Sequence, residues 1–263
     1  MNPKLPAALA NLAACLLLLL PTLARTARSE ETLQVGAKKK MAAHLILPEG
    51  KGPFPAVLVL HTSSGLRPKD LEYARRLAKE GYVCLVPAFM EAYGITNQTR
   101  QATFTTYGDE IFADLVDAVE LLKKRPEVAH EKIGAVGFSN GGYWAVLLAA
   151  RAKIRAGVSY YGAYTGAGAD RFLKRFQEAF TKESSPVLIL HGSRDNTVQV
   201  ANVQRLLSIL DEKKSPHDGK IYLGAGHSYD RAGEGVDAKA DADAAADSWT
   251  RTLAFLREHL NKP

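Results

Sequence analysis

A serine hydroxyl is a weak nucleophile at neutral pH until a nearby base takes its proton. That base in turn needs a carboxylate to fix its tautomer and stabilise its charged form. Three positions in this chain supply such a set. Ser139 sits in Gly137-Phe138-Ser139-Asn140-Gly141, a Gly-x-Ser-x-Gly pattern that reads as a tight strand-to-helix turn presenting one hydroxyl. Asp195 follows after 56 residues and His227 after another 32. Charge developing on a substrate oxygen would meet the backbone N–H of Asn140 and a second N–H from His61-Thr62-Ser63-Ser64-Gly65, where Thr62 and Ser63 are both candidates. Each residue has a plainer explanation: Ser139 and Asp195 as helix caps, His227 as a surface histidine. The pentapeptide alone is short enough to arise by chance. The ordered set favours catalysis.

Such residues must be delivered by elements that end side by side. The apolar pattern predicts an edge strand within Leu33–Met41, a second within Ala42–Leu47, and buried strands at Pro55–His61 and 82–87. The run ending at Phe138 is a further strand. Strands at 156–161, Pro186–Leu190 and 220–223 complete the set. Helical spacing predicts helices at Pro68–Glu80, 109–124, 140–151, Asp170–Phe180, 198–212 and near 243–260. Strands alternating with helices imply an α/β fold with a mostly parallel central sheet and helices on both faces. In such folds ligands bind at the carboxyl ends of strands, where His61, Ser139, Asp195 and His227 all fall. His191 also ends a strand and reads as a structural partner; His44, His130, His217 and His259 lack that context and read as solvent-facing.

The chain has 263 residues, 46% hydrophobic and 24% charged, which suits one globular domain over 25–263. The net charge of +6 is spread along the chain rather than blocked, which argues against a nucleic-acid partner. Residues 1–24 read as a cleaved signal peptide: Lys4, an apolar stretch densest at Leu16–Leu20, and Thr22-Leu23-Ala24 as cleavage site. The stretch is short for a membrane span, so export to a periplasmic or extracellular space is expected, with no membrane partner after cleavage. Leu12-Ala13-Ala14-Cys15 offers a lesser alternative, a lipoprotein anchored at Cys15. After cleavage at Ala24, Cys84 is the sole cysteine, which excludes an intramolecular disulfide and a cysteine-built metal site; within Tyr82-Val83-Cys84-Leu85-Val86 it reads as core. Nothing in the pattern sets an oligomeric state.

Taken together, Gly137-Phe138-Ser139-Asn140-Gly141-Gly142, His61-Thr62-Ser63-Ser64-Gly65, His191-Gly192-x-x-Asp195 and Gly226-His227-Ser228-Tyr229-x-Arg231 resemble the dienelactone hydrolase family over roughly residues 40–260. The resemblance implies an α/β-hydrolase fold without a large lid domain, no cofactor, and cleavage of an ester or lactone through an acyl-enzyme. It also implies differences: Ser139 stands where prototype members have cysteine, Thr62 where they have glutamate, and Ala92 where they have a carboxylate-binding arginine. Arg231 matches a second such arginine. With Arg231, the residues His61, Tyr143, Trp144 and Tyr229 are expected at the substrate. Phe89, Tyr93, Phe104 and Tyr164, also on or near presumed strand-end loops, could line a pocket with them or be ordinary core.

The favoured reading is an exported serine hydrolase of carboxylic esters or lactones, taking a small-molecule substrate. A small peptidase of the prolyl-oligopeptidase type, or an acyltransferase, would use the same residues; p-nitrophenyl esters set against aminoacyl-proline amides separate these readings. A catalytically idle binding protein on the same fold is the alternative of another class. Its mark would be a ligand that raises the melting temperature without turnover.

Overall fold

The computed structural model describes residues 27–164, 169–231 and 237–261; the leader expected at 1–24, with Cys15, and parts of the loops at 162–169 and 228–242 lie outside them. β1 (Ala27–Val35) and β2 (Met41–Pro48) form an antiparallel hairpin. The apolar pattern predicts one strand running through to Met41, but the chain turns at Gly36, whose φ is 121°. That turn is held from a distance. Asp117 accepts from the Gly36 N–H at 3.0 Å, and Asp114 accepts from those of Lys38 and Lys39 at 2.5 and 2.9 Å.

β3 (Phe54–Leu60), β4 (Val83–Pro87), β5 (Val128–Phe138), β6 (Ala156–Tyr160), β7 (Val187–Gly192) and β8 (His217–Tyr222) complete an eight-stranded sheet in the order β1-β2-β4-β3-β5-β6-β7-β8. Only the β1–β2 and β2–β4 ladders are antiparallel. α1 (Pro68–Lys79) and α6 (Ala238–Leu260) cover one face. The other carries α2 (Gly108–Lys123), α3 (Asn140–Ala150), α4 (Ala169–Ala179) and α5 (Val200–Glu212). Successive side chains of a strand point to opposite faces. Val57, Val59, Val136 and Phe138 therefore pack toward α1 and α6, while Ala56, Leu58, Leu60, Ile133 and Ala135 pack toward the opposite layer. Covered on both faces, the central strands are apolar at nearly every position.

The expected elements are present, with shifted ends. α6 begins at Ala238 rather than near 243, because Asp237 caps it by accepting from the N–H groups of Lys239 and Ala240. α3 has no polar face at all: each of its 11 residues is buried. Cys84 is fully buried and free. Among the described residues no helix is long and apolar enough to cross a membrane, and no inserted domain interrupts the alternation.

Candidate active site

β5 and α3 meet at Ser139, whose φ of 50° and ψ of −109° form a strained turn. Such backbone costs about 1–3 kcal/mol and persists only where its surroundings enforce it. Here the enforcement is close packing. A Cβ at Gly137 would overlap the Gly141 carbonyl, and one at Gly141 would overlap those of Leu60 and His61. The Gly141 N–H donates to His61 O at 3.0 Å, and the carbonyl of Ser139 accepts from Gly142 and Ala163 at 3.0 and 2.9 Å. Ser139 occupies the N-cap position of α3, yet its hydroxyl caps nothing there.

That hydroxyl instead faces His227, with Oγ 3.1 Å from Nε2. Nδ1 of His227 lies 2.7 Å from Asp195 Oδ2. Since the carboxylate only accepts, Nδ1 carries the proton and Nε2 is the acceptor for the serine O–H. Asp195, in the loop after β7, uses its second oxygen for the chain: Oδ1 accepts from Thr197 and Val198 at 2.8 and 2.7 Å. Oδ1 thus closes the turn ahead of α5 while Oδ2 orients His227; α5 itself starts at Val200 behind Gln199, so Asp195 does not cap it. The side chain of Asp195 is fully buried and that of His227 is 13% exposed, so the pair is sheltered while the base reaches the surface.

His191 is the structural partner that its position suggests. Its Nε2–H donates to Val198 O at 2.9 Å, and Nε2 is 3.4 Å from Asp195 Oδ2. Burial lowers its pKa from the ordinary histidine value, against the opposing pull of the Asp195 charge and the Val198 carbonyl. A neutral ring fits its bare, buried Nδ1.

Asn140 contributes more than the first free N–H of a helix. Its side-chain amide donates to Thr103 Oγ1 at 2.9 Å, approaches Ser63 Oγ at 3.5 Å, and accepts from Trp144 Nε1 at 3.1 Å. It thereby ties the loop after β3 to the 100–104 turn and to α3. Thr62 closes that loop, with its carbonyl accepting from Gly65 N at 3.2 Å and its hydroxyl from Ser64 N at 3.2 Å.

The residues expected at the substrate lie elsewhere. His61 is fully buried beneath the loop: its Nδ1–H donates to Thr62 O at 2.8 Å and its ring stacks on Phe89 at 4.0 Å. Tyr143 and Trp144 pack with Phe104 and Phe172 behind α3. Tyr229 is core beneath α6, bonded to Ser248 at 2.8 Å. Tyr93 bonds Asp114 at 2.6 Å and Tyr164 bonds Ser159 at 2.6 Å. Large aromatic surface was drawn into the two cores, as its transfer energy dictates.

Arg231 is also committed away from Ser139. It pairs with buried Asp70 at 2.6 Å, donates from Nε to the Tyr161 hydroxyl at 3.3 Å, and lies over the Phe138 ring, facing a cavity between α1 and α6. Tyr161 in turn donates to Asp230 at 2.5 Å and sets its ring edge-on to His227 at 4.8 Å. Burial pushes the Asp230 carboxyl up, against the pull of Arg231. This cluster braces the base loop from below. Its one sequence signal is Arg231, the last residue of the His227 motif; the partners Asp70, Tyr161 and Asp230 have none. Among the described residues no group of three or more His, Cys, Asp or Glu is arranged to hold a metal ion.

The dienelactone hydrolase family model matches residues 41–260. A carboxymethylenebutenolidase of Rhodococcus opacus is 29% identical over 216 residues, covering 80% of this chain and 83% of that protein. Among solved structures, a dienelactone hydrolase-like promiscuous phosphotriesterase from metagenomic libraries superposes with a TM-score of 0.70 at 26% identity, covering 88% of this chain and 99% of its own. An α/β hydrolase from a Medee basin deep-sea metagenome gives 0.71 at 15% identity, covering 90% and 99%, a likeness of fold: the sheet is that of the α/β hydrolases.

Proposed function

Since the chain belongs to the dienelactone hydrolase family, we propose that it cleaves a carboxylic ester or lactone through an acyl-enzyme formed on Ser139. The observation that carries this reading is the continuous line from Asp195 through His227 to Ser139, at 2.7 and 3.1 Å. Ser139 Oγ attacks the carbonyl carbon while His227 Nε2 takes its proton, and Asp195 stabilises the imidazolium through Nδ1–H. The oxyanion is met by the N–H of Asn140 with that of Ser63 or Thr62. Collapse expels the alcohol, which takes the proton from Nε2. Water then repeats the attack and releases the acid. In a lactone the expelled alcohol stays tethered to the acyl group.

The test is a fluorophosphonate probe together with Ser139→Ala. The probe should label Ser139 in the folded protein, and Ser139→Ala should lower kcat/KM for a p-nitrophenyl ester by at least about 10³-fold. Activity surviving the substitution would sink the reading. Aminoacyl-proline amides in the same assay test the peptidase alternative. The leader-like residues 1–24 support a companion proposal, that the protein is exported and trimmed near Ala24.

A further inference from the structure

The amide that follows the nucleophile is held in place from outside the triad. Asn140 stands at the first position of α3, where no carbonyl of the helix can accept from its N–H. The direction of that N–H is set by the Ser139–Asn140 peptide, which adjoins the φ of 50° at Ser139. Rotation of this peptide would relax the strained turn and carry the N–H away from a substrate oxygen. Gly141 is tied by its own N–H to His61 O at 3.0 Å. What holds residue 140 itself is its side chain.

The Asn140 side chain is fully buried and bonded at both ends. An indole N–H can only donate, so the atom 3.1 Å from Trp144 Nε1 is the carbonyl Oδ1. Nδ2 is thereby turned toward Thr103 Oγ1, at 2.9 Å. Thr103 gives its one hydroxyl proton to the Arg100 carbonyl at 2.6 Å, which leaves Oγ1 to accept from Nδ2. The bonds run from indole to amide to hydroxyl to carbonyl, and the two ends fix that direction. Ser63 Oγ, at 3.5 Å from Nδ2, lies at the outer limit of a hydrogen bond and is the weaker partner. Thr103 and Trp144 are also fully buried, so loss of either leaves a dry polar group at Asn140. Thr103 ends the 3₁₀ turn Arg100–Thr103, and the next residue, Phe104, stacks on Trp144 at 5.9 Å and meets Tyr143 edge-on at 4.8 Å. The turn is therefore packed onto α3.

Resting on the ester-hydrolase reading, we infer that Thr103 is a positioning residue for the oxyanion, acting through Asn140 to aim the amide that meets the developing charge. Its hydroxyl fixes the side chain of residue 140, the side chain restrains the backbone, and the backbone presents the N–H. A donor fixed in advance stabilises the transition state more than the neutral ester, because charge on the carbonyl oxygen appears only there. The Asp195–His227 pair lies on other loops and has no part in this line of bonds.

Thr103→Val keeps the branched shape and removes the acceptor. Its kcat/KM for p-nitrophenyl butanoate, per site titrated with a fluorophosphonate, should fall at least about tenfold. The inhibition constant of a matched trifluoromethyl ketone, whose adduct with Ser139 places an oxyanion at the same amide, should rise by a similar factor. The apparent pKa of kcat/KM should stay where it is, since His227 and Asp195 are untouched. Thr103→Ser should bring both constants back to within about threefold of wild type. If Thr103→Val does not fold, Trp144→Phe removes the bond at the other end of the same amide and carries the same expectations. Wild-type kcat/KM per titrated site in the variant would overturn the inference and leave the hydrolase reading standing. So would a loss that moves the pKa or leaves the ketone constant unchanged. A wild type that neither hydrolyses the ester nor takes the fluorophosphonate would overturn both.

Discussion

At the scale of single residues, two histidines share one carboxylate and do different work. His227 faces Ser139 with its side chain 13% exposed. His191 stands behind Asp195, buried, and donates to a backbone carbonyl. Their difference has a measurable consequence in stability. Burial depresses the pKa of His191 in the folded protein, so below the ordinary value of about 6.5 the unfolded chain binds a proton that the folded chain refuses. Stability from this group is complete above about pH 6.5 and declines as pH falls below it. His191→Gln, neutral in both states and able to donate to Val198 O, should flatten the fall in urea midpoint between pH 7 and pH 5. An equally steep fall in the variant would show that His191 is not the proton acceptor.

At the scale of elements, the base loop after β8 is held by α1, which packs on the same face of the sheet. Asp70 in the first turn of α1 accepts from the Arg67 N–H at 2.8 Å with one oxygen and pairs with Arg231 through the other. Arg231, Tyr161 and Asp230 then form the floor beneath His227. Asp70 is fully buried and the Arg231 side chain 16% exposed, so removing one partner strands a charge. Asp70→Asn should cost about 3 kcal/mol in denaturant unfolding, and replacing both, as Asp70→Asn with Arg231→Met, should recover part of it. If the double variant loses the sum of what Asp70→Asn and Arg231→Met lose separately, the pair is not coupled.

At the scale of the whole molecule, the sheet brings four loops from widely separated positions to one edge, and the proposed export adds a leader that the mature fold does not need. N-terminal sequencing of protein recovered from the periplasm or medium of an expressing cell should read from close to Arg25. Recovery only from the cytosol, with Met1 or Asn2 at the start, would reject the proposal.

What the amino-acid order determined unaided was local or periodic. Gly137 and Gly141 announce a turn in which no side chain fits. The unbroken apolar runs at 55–61 and 133–138 announce strands covered on both faces. The order of Ser139, Asp195 and His227 at strand ends announces a site, because strand ends are where a parallel sheet opens. What only the tertiary structure decided was partnership. Glu91 meets His61, Asp70 meets Arg231 across 161 residues, and Asp114 and Asp117 close the β1–β2 turn from 75 to 81 residues away. The aromatic residues went to the core although their positions beside strand-end loops suit a pocket equally well. Periodicity states which face of an element is apolar. It carries no information on which charged side chain from another element will be pressed against that face, since strand order and helix packing set those neighbours.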